Sequence, residues 1–564
     1  MKKNGLDFNR WIEPIEDFVR EHGHQTPRWA VFLTYEFAPA RFCRSVMPTL
    51  SRKGRCFRTI VLADQGALEK NLLQSRPELT GALNLHPVHC CTGGVFHPKL
   101  AFLRAGRSMR ACFGSANLTN GGLGSNLELW SFTESPEVLR GIIHFLDALK
   151  KSPALVLGCG AHRSLHYALA DFVGAKTASV WSSLQGTFAD QIKTGPESKA
   201  GEVNVISPMF TGNGGARVAR AAIPCPDFNL YTDDLANVPN CKEVFYYHPD
   251  PAAGGDEDTD AGPAELHAKA YVFHPRSKGT TWAWFGSANF TARALTTPIA
   301  KGGNVELMVR ACLPDDEANA LRADLKELFN ESKPENNEEK PKEAPPKPCA
   351  TILDCELRGR PGRWKLAIQA MPHTDHVDLQ QDKQKVRVRI RKGWGFVEGQ
   401  KLVSLIPQLA DLADPEAAQV LVLFQVLKDR KVPIVVNIPH VPPSGGEGGN
   451  PQAQLDWIID ELLGRVPSVR PDSGSGEAEE QSGPDDRAKV ESNSEDIDFE
   501  RRLDLVQRQG ELDQLAVKAA LLKKLICRNR SAEERGRLLR EYADTILAAT
   551  PTHLKSVIRE HFGI

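Results

Sequence analysis

Two stretches of this chain carry the same residues in the same order. In the first, His97 and Lys99 stand one residue apart. A short apolar strand follows at Ala101, Phe102 and Leu103, then the run Phe113-Gly114-Ser115-Ala116-Asn117-Leu118-Thr119, and Asn126 and Glu128 close the series. In the second, His267 and Lys269 lead into Tyr271, Val272 and Phe273, then Phe285-Gly286-Ser287-Ala288-Asn289-Phe290-Thr291, and Asn304 and Glu306 close it. One copy would constrain little. Two complete copies call for a fold that builds one supersecondary unit twice.

The repeat reaches beyond the motif. In the first half a helical spacing covers residues 8 to 22. Apolar runs at 29–35 and 59–63 read as buried strands, and a helix is expected from Pro39 through Phe42, Val46 and Leu50. Asp64 and Gly66 end the second strand. The second half repeats the plan with strands at 203–207 and 228–231, a helix around 216–222, and Asp233 and Asp234 at the strand end. Continuous apolar strands with intervening helices predict an α/β fold, its sheets mostly parallel or mixed and covered on both faces. Residues 1–165 and 166–330 are the two expected units.

Past these units the composition shifts. Residues 331–349 are rich in Pro, Glu and Lys and read as a solvated linker. Residues 350–465 predict a small β-rich accessory domain. Its strands are WKLAIQA, KVRVRIRKGWGFV and VPIVVNI, with a helix at 415–428 and a last helix at 452–463. Residues 466–496 are acidic, nearly free of large apolar side chains and expected to be disordered. Residues 497–564 show apolar faces at helical spacing, a small helical bundle for interaction.

With 564 residues there is room for several domains. A formal net charge of -1 excludes a polybasic binder, though not a local basic groove. The 12 cysteines include no CxxC pair and predict reduced thiols. The start MKKNGLDFNRWIEPIEDF has no apolar core of signal-peptide length, and no run reaches the roughly 18 apolar residues of a membrane span. The expected location is the cytoplasm.

The motif residues have a chemical logic. One residue apart on an extended chain, a His and a Lys point to the same side. The Asn and Ser of the following turn add neutral donors, and the Gly before Ser lets another backbone come close. Such a set suits a tetrahedral anion. Two sets facing each other would place a histidine on either side of one phosphorus, one to attack and one to protonate the leaving oxygen. The two Lys and two Asn would hold the developing charge, and a Glu behind each His would fix its tautomer.

These paired HxK…GSxN…E blocks resemble the motifs of the phospholipase D superfamily, over roughly residues 25–330. The resemblance implies two α/β/α sandwich units related by a pseudo-two-fold axis, a phosphohistidine intermediate, no cofactor and no metal requirement. It implies His97 and His267 as the catalytic pair, with His97 the nucleophile and His267 the general acid and then base. It further implies phosphate contacts from Lys99, Lys269, Asn117 and Asn289, substrate contacts from Ser115 and Ser287, and His-orienting roles for Glu128 and Glu306. Phospholipases of the superfamily usually carry an Asp five residues after the Lys. Here Arg104 and His274 stand there. Lack of that Asp, and the His97-to-Asn117 spacing, resemble the tyrosyl-DNA phosphodiesterase branch and some nucleases. The expected activity is therefore metal-independent cleavage of nucleic acid, DNA before RNA, in repair, restriction or antiviral defence. Phospholipid hydrolysis, phosphatidyl transfer and a non-catalytic scaffold are the alternatives. Nucleic acid is the expected partner, with a protein partner possible through the C-terminal helices and no membrane insertion.

Other residues have blander readings. His86, His89, Cys90 and Cys91 match no standard zinc spacing and read as loop and core. His373 and His376 read as a solvated turn. Trp282 and Trp284 belong to the core or offer a ring to a base. Arg293 is either a phosphate contact or a surface residue. Arg387, Arg389 and Arg391 share one face of a strand, which either tracks a nucleic-acid backbone or guards an exposed edge.

Overall fold

The apolar runs of each half lie side by side as parallel strands: Trp29 to Thr34 beside Arg58 to Ala63, and Val203 to Ile206 beside Phe228 to Tyr231. A computed structural model gives these pairings. It describes residues 7–437 apart from 9–11, 26–27, 51–56, 75–82, 171, 211–221, 224–227, 236–237, 239–240, 248–264, 333–350, 359–363, 407–420 and 428–429. The expected helix at 216–222 (Ala222 excepted), the linker beyond Ser332, the helix at 452–463, the acidic stretch 466–496 and the helical bundle 497–564 lie outside the described residues.

The first sheet has eight strands: β1 (Asp7–Phe8), β2 (Arg28–Thr34), β3 (Arg58–Asp64), β4 (Leu83–Cys90), β5 (Leu100–Ala105), β6 (Ser108–Gly114), β7 (Leu129–Thr133) and β8 (Leu155–Leu157). Their order is β1-β7-β6-β5-β2-β3-β4-β8. The second sheet has β9 (Val180–Ser182), β10 (Ala200–Ile206), β11 (Phe228–Thr232), β12 (Glu243–Tyr247), β13 (Ala270–Pro275), β14 (Thr281–Gly286), β15 (Leu307–Leu313) and β16 (Phe329–Ser332), in the order β9-β15-β14-β13-β10-β11-β12-β16. Adding eight to each strand number of the first order gives the second. Directions agree as well. β2-β3-β4 and β10-β11-β12 are parallel, and the other named pairs are antiparallel.

Both faces of each sheet are covered, which is why the strands read as unbroken apolar runs. One core lies between the sheets. It takes Trp29, Val31 and Leu33 from the first, Val272, Phe285 and Val309 from the second, and helical residues such as Ile142, Leu146 and Leu149. The last three belong to the helix Pro136–Lys151, which starts on a proline, where no N–H partner is needed, and ends on Lys150 and Lys151, where cations suit the helix dipole. Separate outer cores back each sheet. The helix Glu13–His22 covers the first with Ile15, Phe18 and Val19. It begins later than its periodicity predicts, because Phe8 is drawn into β1 against Leu129. The helix read from Pro39 to Leu50 is two, Pro39–Ser45 and Met47–Leu50, with Pro48 in the second.

A third layer of strands follows: β17 (Ile352–Arg358), β18 (Lys365–Ala370), β19 (His376–Gln381), β20 (Gln384–Arg389), β21 (Trp394–Glu398), β22 (Leu421–Leu427) and β23 (Arg430–Val436). They form a three-stranded sheet, β17-β18-β21, and a four-stranded one, β20-β19-β22-β23. The sheets meet at both ends, through Glu356 with Asn437 and through Arg391 with Trp394, so the strands curve into a small barrel around their own core. The stretch KVRVRIRKGWGFV is not one strand: it turns at Lys392 and Gly393, both at positive φ. The helix expected at 415–428 is corrected, since Leu421–Leu427 is β22, paired with β23 and β19. Its Leu, Val and Phe side chains are at least as suited to a pleated sheet, and two partner strands decide the matter. Among the described residues no helix is long and apolar enough to cross a membrane. The described cysteines are all free thiols.

Candidate active site

The strands of the two sheets deliver two equivalent loops to one place. His97 and Lys99 lie not on β5 but in the extended segment leading into it, and His267 and Lys269 stand likewise before β13. Each segment is pinned at two backbone positions. The Asp64 carboxylate, at the end of β3, accepts the Phe96 N–H at 2.8 Å, and Asp233, at the end of β11, accepts the Leu266 N–H at 3.0 Å. The next N–H in each crosses to the other half: His97 N donates to the Val305 carbonyl and His267 N to the Leu127 carbonyl, both at 3.0 Å. Return bonds run from Val305 N to Val95 O and from Leu127 N to Glu265 O, both at 2.9 Å. Each histidine segment is thus stitched to the segment that carries the other half's glutamate.

The side chains follow that stitching. His97 Nδ1 lies 3.0 Å from Glu306, and His267 Nδ1 lies 2.7 Å and 3.0 Å from the two oxygens of Glu128. Behind each glutamate stands the serine of its own half. Ser115 donates to Glu128 and Ser287 to Glu306, both at 2.5 Å, while each hydroxyl accepts a backbone N–H, from Leu129 and Leu307, at 3.0 Å. Both serines are fully buried. The structure places Ser115 and Ser287, for which substrate contacts were expected, behind the carboxylates with their hydroxyls bonded to Glu128 and Glu306. The preceding glycines have a steric reason. A Cβ on Gly114 would sit 2.1 Å from the Leu129 carbonyl oxygen, and one on Gly286, at φ +151°, 2.3 Å from that of Leu307. Phe113 and Phe285 meet between the halves with ring centroids 5.4 Å apart.

Burial sets the electrostatics. Lys99 Nζ and Lys269 Nζ donate back to the carbonyls of His97 and His267, at 2.8 and 2.6 Å. Desolvation, aided by the nearby Lys269, lowers the Lys99 pKa to about 7, and desolvation against the pull of Glu128 and Glu306 lowers that of Lys269 to about 8. Burial brings His97 down to about 4 despite Glu306, and it lowers His267 as well. For the two glutamates burial pushes upward, but the paired histidine, the lysines and the serine hydroxyl outweigh it and hold both below the usual range. The resting arrangement is two neutral imidazoles, each with Nδ1–H on a carboxylate, and two glutamates ionised against two lysines. His97 is the more enclosed, its side chain 9% exposed against 23% for His267.

The asparagines sit at the same corner. Asn117 Oδ1 lies 3.5 Å from the Glu36 N–H, and Asn289 Nδ2 3.7 Å from Met209 Sδ. Tyr35 packs beside His97, ring centroids 5.3 Å apart. Asp64, Asp233 and Tyr35 were not among the expected site residues. The signal for the first two was present, an Asp ending the equivalent strand in each half. Burial raises both to about 6. Arg104 and His274 point elsewhere. Arg104 Nη1 reaches the carbonyls of Ala168 and Ala170 at the end of the helix Cys159–Ala168, and His274 Nε2 lies 3.2 Å from Asn204. Trp284 is buried, its Nε1 donating to Glu197, and Arg310 covers Trp282. Arg293 is exposed. His86 is buried beside the barrel with neither ring nitrogen hydrogen-bonded. Among the described residues, the group of His, Cys, Asp or Glu close enough to share an ion is Glu21, His22 and Glu134, where Arg110 already pairs with both acids.

No family model matches the chain, and no curated protein matches it by sequence. Solved structures that match in part include phosphatidylserine synthase from Haemophilus influenzae, at 12% identity and TM-score 0.40, covering 61% of this chain and 91% of that one. Yeast tyrosyl-DNA phosphodiesterase matches at 10% identity and TM-score 0.34, covering 54% and 87%. Polyphosphate kinase from Porphyromonas gingivalis matches at 10% identity and TM-score 0.35, covering 59% of this chain but 54% of its own length.

Proposed function

We propose that this chain is a metal-independent phosphodiesterase of the phospholipase D type, built from two like units, that hydrolyses nucleic acid through a phosphohistidine. The observation that carries the reading is the pair of Ser–Glu–His chains, each completed by the opposite half. A buried glutamate on Nδ1 leaves the Nε2 lone pair of a neutral imidazole free, which is what a nucleophile needs. His97, held near 4 and the more enclosed, suits attack. His267, more open and touching both oxygens of Glu128, suits the cationic form of a general acid. In the first step Nε2 of His97 bonds to phosphorus, the ester P–O bond breaks, and His267, which takes up a proton on Nε2 as the anionic diester binds, gives that proton to the leaving oxygen. In the second, His267 takes a proton from water, whose oxygen bonds to phosphorus as the His97–P bond breaks. Lys99, Lys269, Asn117 and Asn289 hold the non-bridging oxygens.

Nucleic acid is favoured over phospholipid by the surroundings. Of the large apolar side chains exposed among the described residues (Val173, Met209, Phe396 and Val403), Met209 alone borders the site, so the described residues offer a bilayer a single apolar side chain there. The test is incubation of the protein in EDTA with labelled single- and double-stranded DNA, RNA and phosphatidylcholine, beside His97→Ala and His267→Ala. Cleavage of DNA or RNA, lost in both variants, is the expected result. Turnover of lipid alone, or no turnover of any of them, would overturn the reading.

A further inference from the structure

The barrel has one side committed and one side open. β17, β18 and β23 face the first half. Asn437 Oδ1 accepts the Leu85 N–H at 3.2 Å, Asp354 the Gly160 N–H at 2.8 Å, and Gln369 the Cys159 N–H at 2.7 Å. Further round the barrel, β19, β20 and β21 turn their outer faces to solvent. Alternation along β20 buries Val386 and Val388 and sends Lys385, Arg387 and Arg389 outward, with Arg391 just beyond. From Lys383 to Lys392 every charged residue is a cation. Asp378 on β19 takes Arg387 through two hydrogen bonds, at 2.7 and 2.9 Å, and Lys385 at 3.4 Å. One carboxylate answers those two. Among the described residues no carboxylate pairs with Arg389 or Arg391.

An aromatic ring lies alongside. β21 follows β20 through the Arg391–Trp394 turn and leaves Phe396 46% exposed, with Lys365 Nζ 4.0 Å from its ring centroid. Gly395 keeps the two strands close. A Cβ there would come within 2.6 Å of Ile390, 2.8 Å of Val388 and 3.1 Å of the Arg389 carbonyl. With Gly395 against the inward side of β20, Phe396 shares the outer face with the arginines. Guarding an edge against aggregation accounts for charge. It does not account for cations that outnumber the carboxylates Asp378 and Glu398 beside a half-exposed phenyl ring.

We propose that the β19–β20–β21 face binds single-stranded nucleic acid, the arginines on phosphates and Phe396 as a stacking platform for an unpaired base. Alternate side chains on a strand recur about every 6.6 Å, a row that long guanidinium arms can fit to a sugar-phosphate backbone. A ring that stacks on any base and a row of cations together make a sequence-tolerant single-strand site. The face stands apart from the histidine site and does not depend on its cutting anything.

The test titrates full-length protein with a fluorescein-labelled oligodeoxythymidine at several salt concentrations. Beside it run Arg389→Glu/Arg391→Glu, the milder Arg389→Gln/Arg391→Gln in case charge reversal disturbs folding, and Phe396→Ala. Both arginine pairs are expected to weaken binding about tenfold or more at low salt and to flatten the salt slope by about 1.4, near 0.7 for each phosphate no longer neutralised. Phe396→Ala is expected to weaken binding at least about fivefold with the slope unchanged. Hydrolysis of bis(p-nitrophenyl) phosphate, too small to reach from one site to the other, should be unaltered. If it is never hydrolysed but the barrel variants still lose the oligonucleotide, the cleavage reading fails and this one stands. Undiminished oligonucleotide binding in both arginine variants, or no wild-type binding at low salt, overturns it. So does loss of binding to phosphatidylserine vesicles with oligonucleotide binding retained.

Discussion

The two halves of the site agree behind the reacting atoms and differ in front of them. Asp64 and Asp233, Thr34 and Ser207, Ser115 and Ser287, and Gly114 and Gly286 play the same parts in each half. Thr34 Oγ1 donates to the Glu36 carbonyl and accepts Leu118 N, while Ser207 Oγ donates to the Met209 carbonyl and accepts Phe290 N. In front of the reacting atoms, Tyr35 packs beside His97 and Glu36 N meets Asn117, whereas Met209 meets Asn289 in the other half. What holds a histidine, a lysine and a carboxylate at hydrogen-bonding distance tolerates little change. What meets the rest of a substrate is free to differ, and a pseudo-symmetric site acquires a direction in that way.

The histidines give the largest test of that direction. Both His97→Ala and His267→Ala are expected to cut kcat/KM on a natural diester by about 10³-fold or more. On bis(p-nitrophenyl) phosphate, whose leaving group departs without a proton, His267→Ala should regain much of the first step while His97→Ala stays inactive. Product-burst kinetics would show this. Regain in His97→Ala instead would exchange the two roles.

The glutamates test the crossing. Glu306→Gln should behave as a weakened His97 and Glu128→Gln as a weakened His267, each losing about 10²-fold or more. The same leaving-group comparison decides it. Recovery with p-nitrophenolate in Glu128→Gln and none in Glu306→Gln supports the crossed pairs, and the opposite pattern breaks them.

How the halves join was the part of the site that the sequence hid. The histidines, lysines, asparagines and glutamates were legible because each recurs in the same order, although Glu128 follows Asn117 by 11 residues and Glu306 follows Asn289 by 17. The strand order was half legible, since unbroken apolar runs signal a covered sheet but do not name neighbours. Glu128 lies 139 residues from His267 and Glu306 lies 209 from His97; backbone bonds between their loops hold the crossing, and no local pattern encodes it. The serines misled because a hydroxyl beside an anion site reads the same whether it faces substrate or the carboxylate behind. β22 misled because an apolar run of seven fits either period until a partner strand chooses.

A smaller effect, in pH, concerns the lysines. They must be cationic to hold phosphate, and in the free protein Lys99 sits near 7 and Lys269 near 8. As pH rises through those values each ammonium loses its proton, so kcat/KM should fall across pH 7 to 8. His97, near 4, is already neutral there and adds no limb, while His267, which burial holds below its usual value, adds the general acid's limb at lower pH than the lysines. A bound diester supplies negative charge and raises both lysines, so kcat should fall at higher pH than kcat/KM. Coincident limbs would count against the lysines as the groups observed.

The smallest expected effect on activity lies five residues after each lysine of the site, at Arg104 and His274. Arg104 and His274 occupy equivalent positions on β5 and β13 yet do different structural work. The Arg104 guanidinium is buried at a helix end, where its carbonyl partners have no other donor within the helix. Arg104→Ala should lower stability by about 2 kcal/mol, the range for hydrogen bonds to a buried charge. His274→Ala removes a neutral hydrogen bond with Asn204 and should cost about 1 kcal/mol. Chemical denaturation reads both. Neither side chain touches the histidine pair, so kcat/KM at a temperature where both variants are folded should match wild type. A tenfold loss in one and not the other would show that its strand transmits position to its own histidine, and that the asymmetry of the site begins behind the motif after all.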